Sequence, residues 1–262
     1  MRTREPRLSA GLDYALRQAA EAQRLLVAFD FDGTLSPIVS NYETAAPDTG
    51  ALETLYALAA LPRTRVIVVS GRAREDLERR LDSCPDDVEL IGSHGAEFGA
   101  DSTEARPAVE RFAAALEGIS ESFPGARLER KPISLAFHYR NVAEGMQEQA
   151  RAEAIERIGD AAVAVKDGKK VVEFFAVPAD KGTALRRYRE AASARGEGPT
   201  VALYVGDDVT DEAAFEALGP GDVGIRVGDG PSAARHAIES QEEVAPLLRR
   251  LHRLRSEATE DG

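Results

Sequence analysis

The sequence predicts an α/β fold, a doubly wound parallel sheet with a smaller α+β domain inserted into it. Three observations carry that expectation. Short, mostly apolar runs recur at Leu25–Phe29, Val66–Val69, Val88–Ile91, Val201–Val205 and Val223–Val227, the pattern of strands buried on both faces. Helical stretches stand between those runs. The middle of the chain changes character, with paired strand-like segments around turn signals. A length of 262 residues, 43% of them hydrophobic, suffices for one large domain or two modest ones.

In chain order, residues 1–8 are polar and expected to be loose, and Ser9 can cap a helix running to about Ala22. The first apolar run follows, then a helix over Asp48–Leu61, the second run, a helix over Arg74–Asp82 and the third run. Arg127–Lys131 and Ile133–Arg140 read as paired strands interrupted by Pro132, and Ala143–Ile158 as a helix. Ala161–Lys166 and Lys170–Phe175 flank Asp167-Gly168, a hairpin turn signal. Helices are then expected at Lys181–Arg195, Asp211–Leu218 and Ser232–Ser240, before, between and after the last two runs. Residues 244–255 read as a basic helix, and the charged tail from Leu251 is expected to fray. The sheet domain is placed at 1–102 and 179–262, and the inserted module at 103–178.

Composition excludes several functions. With 45 acidic and 33 basic residues the net charge is −12, and no Lys/Arg cluster is long enough to bind nucleic acid against it. One cysteine, Cys84, leaves no internal disulfide framework and no multi-cysteine zinc site. No window approaches the 18 apolar residues of a membrane span, and the first residues lack an apolar signal core. The expectation is a cytoplasmic, monomeric protein whose partner is a small molecule.

In an open parallel sheet, ligands sit outside the carboxyl ends of the strands. The first run ends in Asp30-Phe31-Asp32-Gly33-Thr34-Leu35. Residues two apart in extended chain point the same way, so Asp30 and Asp32 are expected to face one ligand, with Gly33 turning the chain. The second run ends in Ser70-Gly71-Arg72 and the fourth in Gly206-Asp207-Asp208. Carboxylates gathered this way repel one another without a cation, and hard oxygen donors suit Mg²⁺. A neutralised Asp can attack phosphorus, and a second acid can protonate the leaving oxygen and later activate water. Lys181, just after Asp180, would bring an ammonium and free N–H groups to a helix start, a place for phosphate oxygens. Each signal alone has a plain structural reading, as a cap, a turn or a solvated lysine. Together, in this order and at these places, they argue for phosphoryl transfer.

At this point the residues resemble a family. Asp30–Ile38 (DFDGTLSPI), Ser70, Lys181 and Gly206–Glu212 (GDDVTDE) resemble the four motifs of the haloacid dehalogenase superfamily of phosphotransferases. The resemblance implies Asp30 as nucleophile and Asp32 as general acid/base, with Thr34, Ser70 and Lys181 on the phosphate. It also implies Mg²⁺ on Asp30, the Asp32 backbone carbonyl and Asp207. Asp208 and Asp211 would support that site or cap the following helix. Ser70 and Lys181 lie 111 positions apart, so the inserted module falls where the superfamily carries its type 2 cap, found mostly in sugar phosphatases. Gly92–Glu97 (GSHGAE), Glu129-Arg130-Lys131, His138-Tyr139-Arg140, Glu173 and Lys181-Gly182 further resemble the trehalose-6-phosphate phosphatase family. Phe31 stands where many members carry Tyr. This resemblance implies trehalose 6-phosphate as substrate, bound by Gly33, Gly71, Arg72, His94, Glu97, Glu129, Lys131, His138, Arg140 and Glu173. Strand alternation puts His138 with Arg140, and Glu129 with Lys131, on one face each, and that face of the cap is expected to close over Asp30.

Three rivals remain. Another sugar phosphate, such as sucrose phosphate or a glycosyl-glycerate phosphate, needs only a different cap face. A phospho-accepting signalling domain shares acids, hydroxyl and lysine but needs neither Asp32 nor an enclosing insert. Gly228-x-Gly230-x-x-Ala233 suggests a dinucleotide site, which requires a strand and an acid where residues 244–255 read as a helix.

Overall fold

The apolar runs become the middle of a parallel sheet. In the computed structural model, which describes residues 8–39, 44–81, 83–97, 102–168, 170–178, 180–196 and 198–260, the chain forms two units. Met1–Gly95 with Asp180–Gly262 make the first, and Ala96–Ala179 the second. The first begins with α1 (Ala10–Glu21), β1 (Leu25–Phe29), α2 (Thr49–Ala59), β2 (Thr64–Val69), α3 (Arg74–Arg80) and β3 (Val88–Ile91). The second contains α4 (Ser102–Ala115), α5 (Ile119–Ser122), β4 (Arg127–Arg130), β5 (Ser134–His138), α6 (Gln147–Ile158), β6 (Ala164–Gly168) and β7 (Val171–Phe175). The chain returns to the first through α7 (Lys181–Ala194), β8 (Val201–Gly206), α8 (Glu212–Glu216), β9 (Val223–Val227), β10 (His236–Ile238) and α9 (Val244–Glu260).

Among the described residues the first unit's sheet has the order β10-β9-β8-β1-β2-β3, every neighbouring pair parallel. The winding reverses between β1 and β8, which opens a crevice at their carboxyl ends. Phe29 pairs with both Val68 and Val205, so the residues that follow β1, β2 and β8 emerge along one edge. Every residue of β1 is buried, because helices cover both faces of a parallel sheet. Ser9, Asp48 and Asp180 cap α1, α2 and α7, each side chain accepting a backbone N–H three residues on. Among the described residues, no helix is long and apolar enough to cross a membrane.

Four local expectations are corrected. The helix expected at Ser232–Ser240 is irregular chain ending in β10, which adds a sixth strand beside β9. Glu212 holds this stretch extended, accepting from Ser232 Oγ at 2.7 Å and from Ala233 N at 2.7 Å. Helix propensity is a weak prior, and tertiary hydrogen bonds override it here. With no helix after Gly230, the dinucleotide reading loses its geometric premise. The tail from Leu251 does not fray: α9 runs to Glu260, with Leu247, Leu248, Leu251 and Leu254 forming a buried stripe. Buried Arg255 anchors it, donating to Thr64 Oγ1 and to the carbonyls of Ala20, Ala22, Pro62 and Arg63. Asp167 and Gly168 belong to β6, paired with Val172 and Val171, so the turn comes later and Lys170 takes the positive φ of 65°. Arg151 forks onto both Asp167 oxygens at 2.7 and 2.6 Å. The Asp211–Leu218 helix divides into a 3₁₀ turn at Val209–Asp211 and α8. Of the loose start expected for residues 1–8, all but Leu8 lies outside the described residues, as do Asp82 and residues 261–262.

The second unit is an antiparallel sheet, β4-β5-β7-β6, with two unlike faces. Leu128, Leu135, Phe137, Val172 and Phe174 line one face and pack with Phe112 and Leu116 of the α4 region and Ala150, Ala154 and Ile158 of α6. The register puts Glu129, Ala136, Glu173 and Lys166 in one row on the other face. This division, apolar on the helix side and polar opposite, is what alternation produces in a sheet covered once. α4 and α5, which complete the apolar layer, lie in the stretch to which no element is assigned from sequence.

Candidate active site

Asp30 is the first residue past β1, 5% exposed, with its N–H extending the ladder to Val205 O at 2.9 Å. The chain then turns: Gly33 N donates to Ser36 O at 2.7 Å and Ser36 N to Phe31 O at 2.8 Å. Gly33 has φ of 80°, and a Cβ there would lie 2.0 Å from Asp207 Oδ2. Glycine is required twice over, by the backbone and by the approach of a carboxylate.

The centre of the edge is a buried ion cluster. Lys181, first residue of α7 and 1% exposed, donates from Nζ to Asp30 Oδ1 at 2.9 Å and to Asp211 Oδ1 at 2.7 Å. Tyr204 of β8 donates its hydroxyl to the same Asp211 oxygen at 2.6 Å. The N–H groups of Asp207 and Asp208 donate to Asp211 Oδ2 at 3.0 and 2.9 Å. Donors thus engage both Asp211 oxygens, and Asp211 in turn fixes the ammonium beside Asp30. One carboxylate oxygen each from Asp30, Asp207 and Asp211 lie within 4.8 Å of one another. Thr34 Oγ1 approaches Asp207 Oδ1 at 3.4 Å.

Burial and like charge shift these acids. Burial, aided by the Asp211 charge and opposed by Lys181, raises the Asp30 carboxyl from 3.8 to about 7. Burial and Asp211 raise Asp207 to about 6. Burial works against the Lys181 ammonium, but Asp30 and Asp211 outweigh it and hold its pKa above the usual value. One ammonium among three carboxylates leaves a deficit of positive charge, and hard oxygens this close could hold a metal cation. A pH dependence follows. Between 3.8 and about 7, the folded protein binds the Asp30 proton more tightly than the unfolded chain does. The group's stabilising contribution is therefore complete at the acid end and lost as pH climbs through that window. Without metal, Asp30→Asn is expected to gain stability relative to wild type from about pH 4 to about pH 8, read as urea midpoints across the range. A difference that stays constant would contradict the shift.

Around the cluster, Ser70 is buried after β2, its Oγ accepting from Arg72 N at 3.2 Å. The loop after β3 is tied to it: His94 N donates to Ser70 O at 2.8 Å and Ser93 N to Arg72 O at 2.7 Å. His94 takes the left-handed conformation, φ 57° and ψ 31°, and its ring occupies the space a Cβ on Gly71 would fill. Asp32 meets a cation other than the one that holds Asp30. Arg72 forks onto its carboxylate at 2.6 Å on each oxygen, so two different cations hold the two acids. Asp208 is exposed and caps the 3₁₀ turn, accepting from Val209 N at 2.7 Å, while Asp211 both completes that capping box through Oδ2 and joins the cluster.

The second unit carries the remaining expected residues. Lys131 Nζ donates to both Glu173 oxygens at 3.0 and 3.1 Å, and Ser134 Oγ to Oε1 at 2.5 Å. His138 Nε2 lies 2.7 Å from Glu129 Oε2. Arg140 falls beyond the end of β5, in a turn closed by Val142 N donating to Tyr139 O, so alternation does not set its direction. Glu97 also belongs to this unit. Sequence reasoning missed Tyr204, and also Asp76, which accepts from Arg72 Nη1 at 2.8 Å. A tyrosine inside a buried apolar strand was the available signal for the first, since its hydroxyl needs a partner.

Residues 28–244 match the family described as Trehalose-phosphatase. A Mycobacterium ulcerans trehalose-phosphate phosphatase is 38% identical over 246 residues, a match covering 87% of this chain and 61% of that protein. The chain therefore spans about three-fifths of that relative's length. A Thermoproteus tenax bifunctional trehalose-6-phosphate synthase/phosphatase is 35% identical, covering 88% of this chain and 32% of its own. Among solved structures, the Aspergillus fumigatus trehalose-6-phosphate phosphatase superposes with a TM-score of 0.67 at 27% identity, covering 92% of this chain and 97% of that one.

Proposed function

The chain belongs to the trehalose-phosphatase family, and from that premise we propose that it hydrolyses trehalose 6-phosphate to trehalose and phosphate, with the phosphoryl group carried briefly on Asp30. The observation that carries the reading is the buried cluster of Asp30, Lys181, Asp207 and Asp211 at the switch of the sheet. An Asp30 oxygen attacks phosphorus and the bond to the sugar oxygen breaks, with Asp32 donating its proton to that oxygen. Asp32 then takes a proton from water, whose oxygen attacks the phosphorus and frees the Asp30 carboxylate. Lys181, Thr34 and Ser70 hold the non-bridging oxygens, and Asp211 and Tyr204 keep the Lys181 ammonium in place. Mg²⁺ held by Asp30, Asp207 and the backbone carbonyl of Asp32 would offset the carboxylate charge and polarise the phosphoryl group.

None of these groups senses what the phosphate is attached to. Recognition of a sugar needs directional donors and acceptors, and Glu129, Lys131, His138 and Glu173 on the polar face of the second unit supply them. The test is phosphate release from trehalose 6-phosphate, sucrose phosphate and a glycosyl-glycerate phosphate, with Mg²⁺ and with chelator. Many turnovers on the first, lost on chelation, are expected. A better rate on either rival, or one stoichiometric burst leaving a stable phosphoprotein, would overturn the reading. Lys131→Ala and Glu173→Ala are expected to cost about tenfold to a few hundredfold on trehalose 6-phosphate, from about 1.5–3 kcal/mol per charged hydrogen bond. p-Nitrophenyl phosphate hydrolysis should hardly change, and equal losses on both substrates would remove this face from recognition.

A further inference from the structure

The Asp32 carboxylate does not stand alone at the sheet edge. Arg72 donates from Nε to Asp32 Oδ2 and from Nη2 to Asp32 Oδ1, both at 2.6 Å, a bidentate fork that permits one orientation. Its remaining terminal nitrogen, Nη1, donates to Asp76 Oδ2 at 2.8 Å, and the guanidinium carbon lies 5.4 Å from the centre of the Phe31 ring. Asp76 is itself fixed, in the first turn of α3, by Arg80 Nε at 2.9 Å and Arg79 Nη2 at 3.3 Å. Arg80 is tied in turn to Ala45 O at 2.7 Å. The Arg72 side chain is 6% exposed, while that of Asp32 is 42% exposed, so the acid is open to solvent and its guide is not. A carboxylate that open would sample several rotamers without such a guide.

We propose that Asp76, acting through Arg72, is a positioning residue that aims the Asp32 carboxyl at the oxygen leaving phosphorus. This rests on the reading of Asp32 as the general acid. The consequence depends on the leaving group. An alkoxide sugar oxygen needs the proton, whereas p-nitrophenolate departs without one, so misaiming the acid costs only the first. The parameter kcat/KM isolates this step, because it ends at release of the alcohol or phenol.

The experiment compares wild type, Asp76→Ala, Asp76→Asn and Asp76→Glu on trehalose 6-phosphate and p-nitrophenyl phosphate with saturating Mg²⁺, with circular dichroism to confirm folding. Asp76→Ala is expected to lose about tenfold or more in kcat/KM on the sugar phosphate, a fraction of what general acid catalysis supplies, and less than about twofold on the nitrophenyl ester. Asp76→Asn keeps the size and the acceptor at the helix start and should show the same split at smaller amplitude, which covers the case in which the alanine variant fails to fold. Asp76→Glu should recover most of the loss. Equal losses on the two substrates, or none in the folded variants, would overturn the proposal. Failure of the underlying reading looks different: Asp32→Asn itself would keep full kcat/KM on trehalose 6-phosphate.

Discussion

Asp30→Asn is expected to lower turnover by about 10⁴-fold or more while leaving the fold in place, because it removes the attacking oxygen and nothing else of comparable size. An amide has the shape of the carboxylate but neither its charge nor its nucleophilicity. Its carbonyl oxygen can still accept from Lys181, so the 2.9 Å contact has a successor. The surroundings already disfavour the ionised acid, whose pKa burial pushes up to about 7, so a neutral side chain fits without penalty to folding. The measurement is steady-state phosphate release at saturating Mg²⁺, together with thermal unfolding of the same preparation. Retention of more than a few per cent of wild-type turnover would mean that Asp30 is not the group that attacks phosphorus. Beryllofluoride with Mg²⁺ should also inhibit wild type and leave the Asn variant without a binding signal, since the adduct forms on a carboxylate oxygen.

Lys181→Met is the second large effect, and it falls on stability as well as activity. Methionine matches the length and apolar stem of the lysine but carries no ammonium. Asp30 and Asp211 would then face each other, 5% and 0% exposed, with their shared counter-charge gone. Breaking a buried ion pair from one side costs about 3–5 kcal/mol, because it leaves uncompensated charge out of water. The loss should be larger at about pH 8 than at about pH 5, since Asp30 can take up a proton at the lower pH and relieve the repulsion. A divalent cation can stand in for the ammonium, so added Mg²⁺ should stabilise the variant more than it stabilises wild type. Urea unfolding in chelator and in Mg²⁺, at both pH values, reads all three. A variant as stable as wild type in chelator would mean that the cluster does not depend on Lys181 for its charge balance. Turnover should fall by about 10³-fold, as the phosphate loses its cation at the start of α7.

Both effects concern residues visible in the sequence, and the reason is chemical. Asp30, Asp207 and Lys181 sit directly after an apolar strand or at a capped helix start, so local pattern alone brings them to the carboxyl edge of a parallel sheet. The same local logic failed at Ser232–Ser240, where Ser232 and Ala233 are tied to Glu212, some twenty residues earlier, and the chain then pairs with β9 as β10. It failed again at the tail, where the charged residues hid a leucine stripe and an arginine that reaches five acceptors on two other segments. Arg140 was misplaced by a strand end two residues earlier than the run of sequence suggests. The Arg72 fork onto Asp32 joins residues 40 positions apart, and no spacing rule announces it.

The fold class, five of the six strands of the parallel sheet, and the acids and the lysine that meet at one edge were legible in the residues alone. These follow from apolar run length, caps and turn residues, which act over a few neighbouring positions. How those charges are shared depends on contacts between segments far apart in the chain. Asp211, ambiguous between a helix cap and a site residue, is drawn into the cluster by Tyr204 and Lys181, and Asp208 is left to cap the turn. Asp32 is held by Arg72, which Asp76 also engages, while Asp30 is held by Lys181. Which cation a carboxylate meets depends on distances between strands that come from distant parts of the chain, and electrostatic energy at a buried site changes by several kcal/mol over a few ångströms.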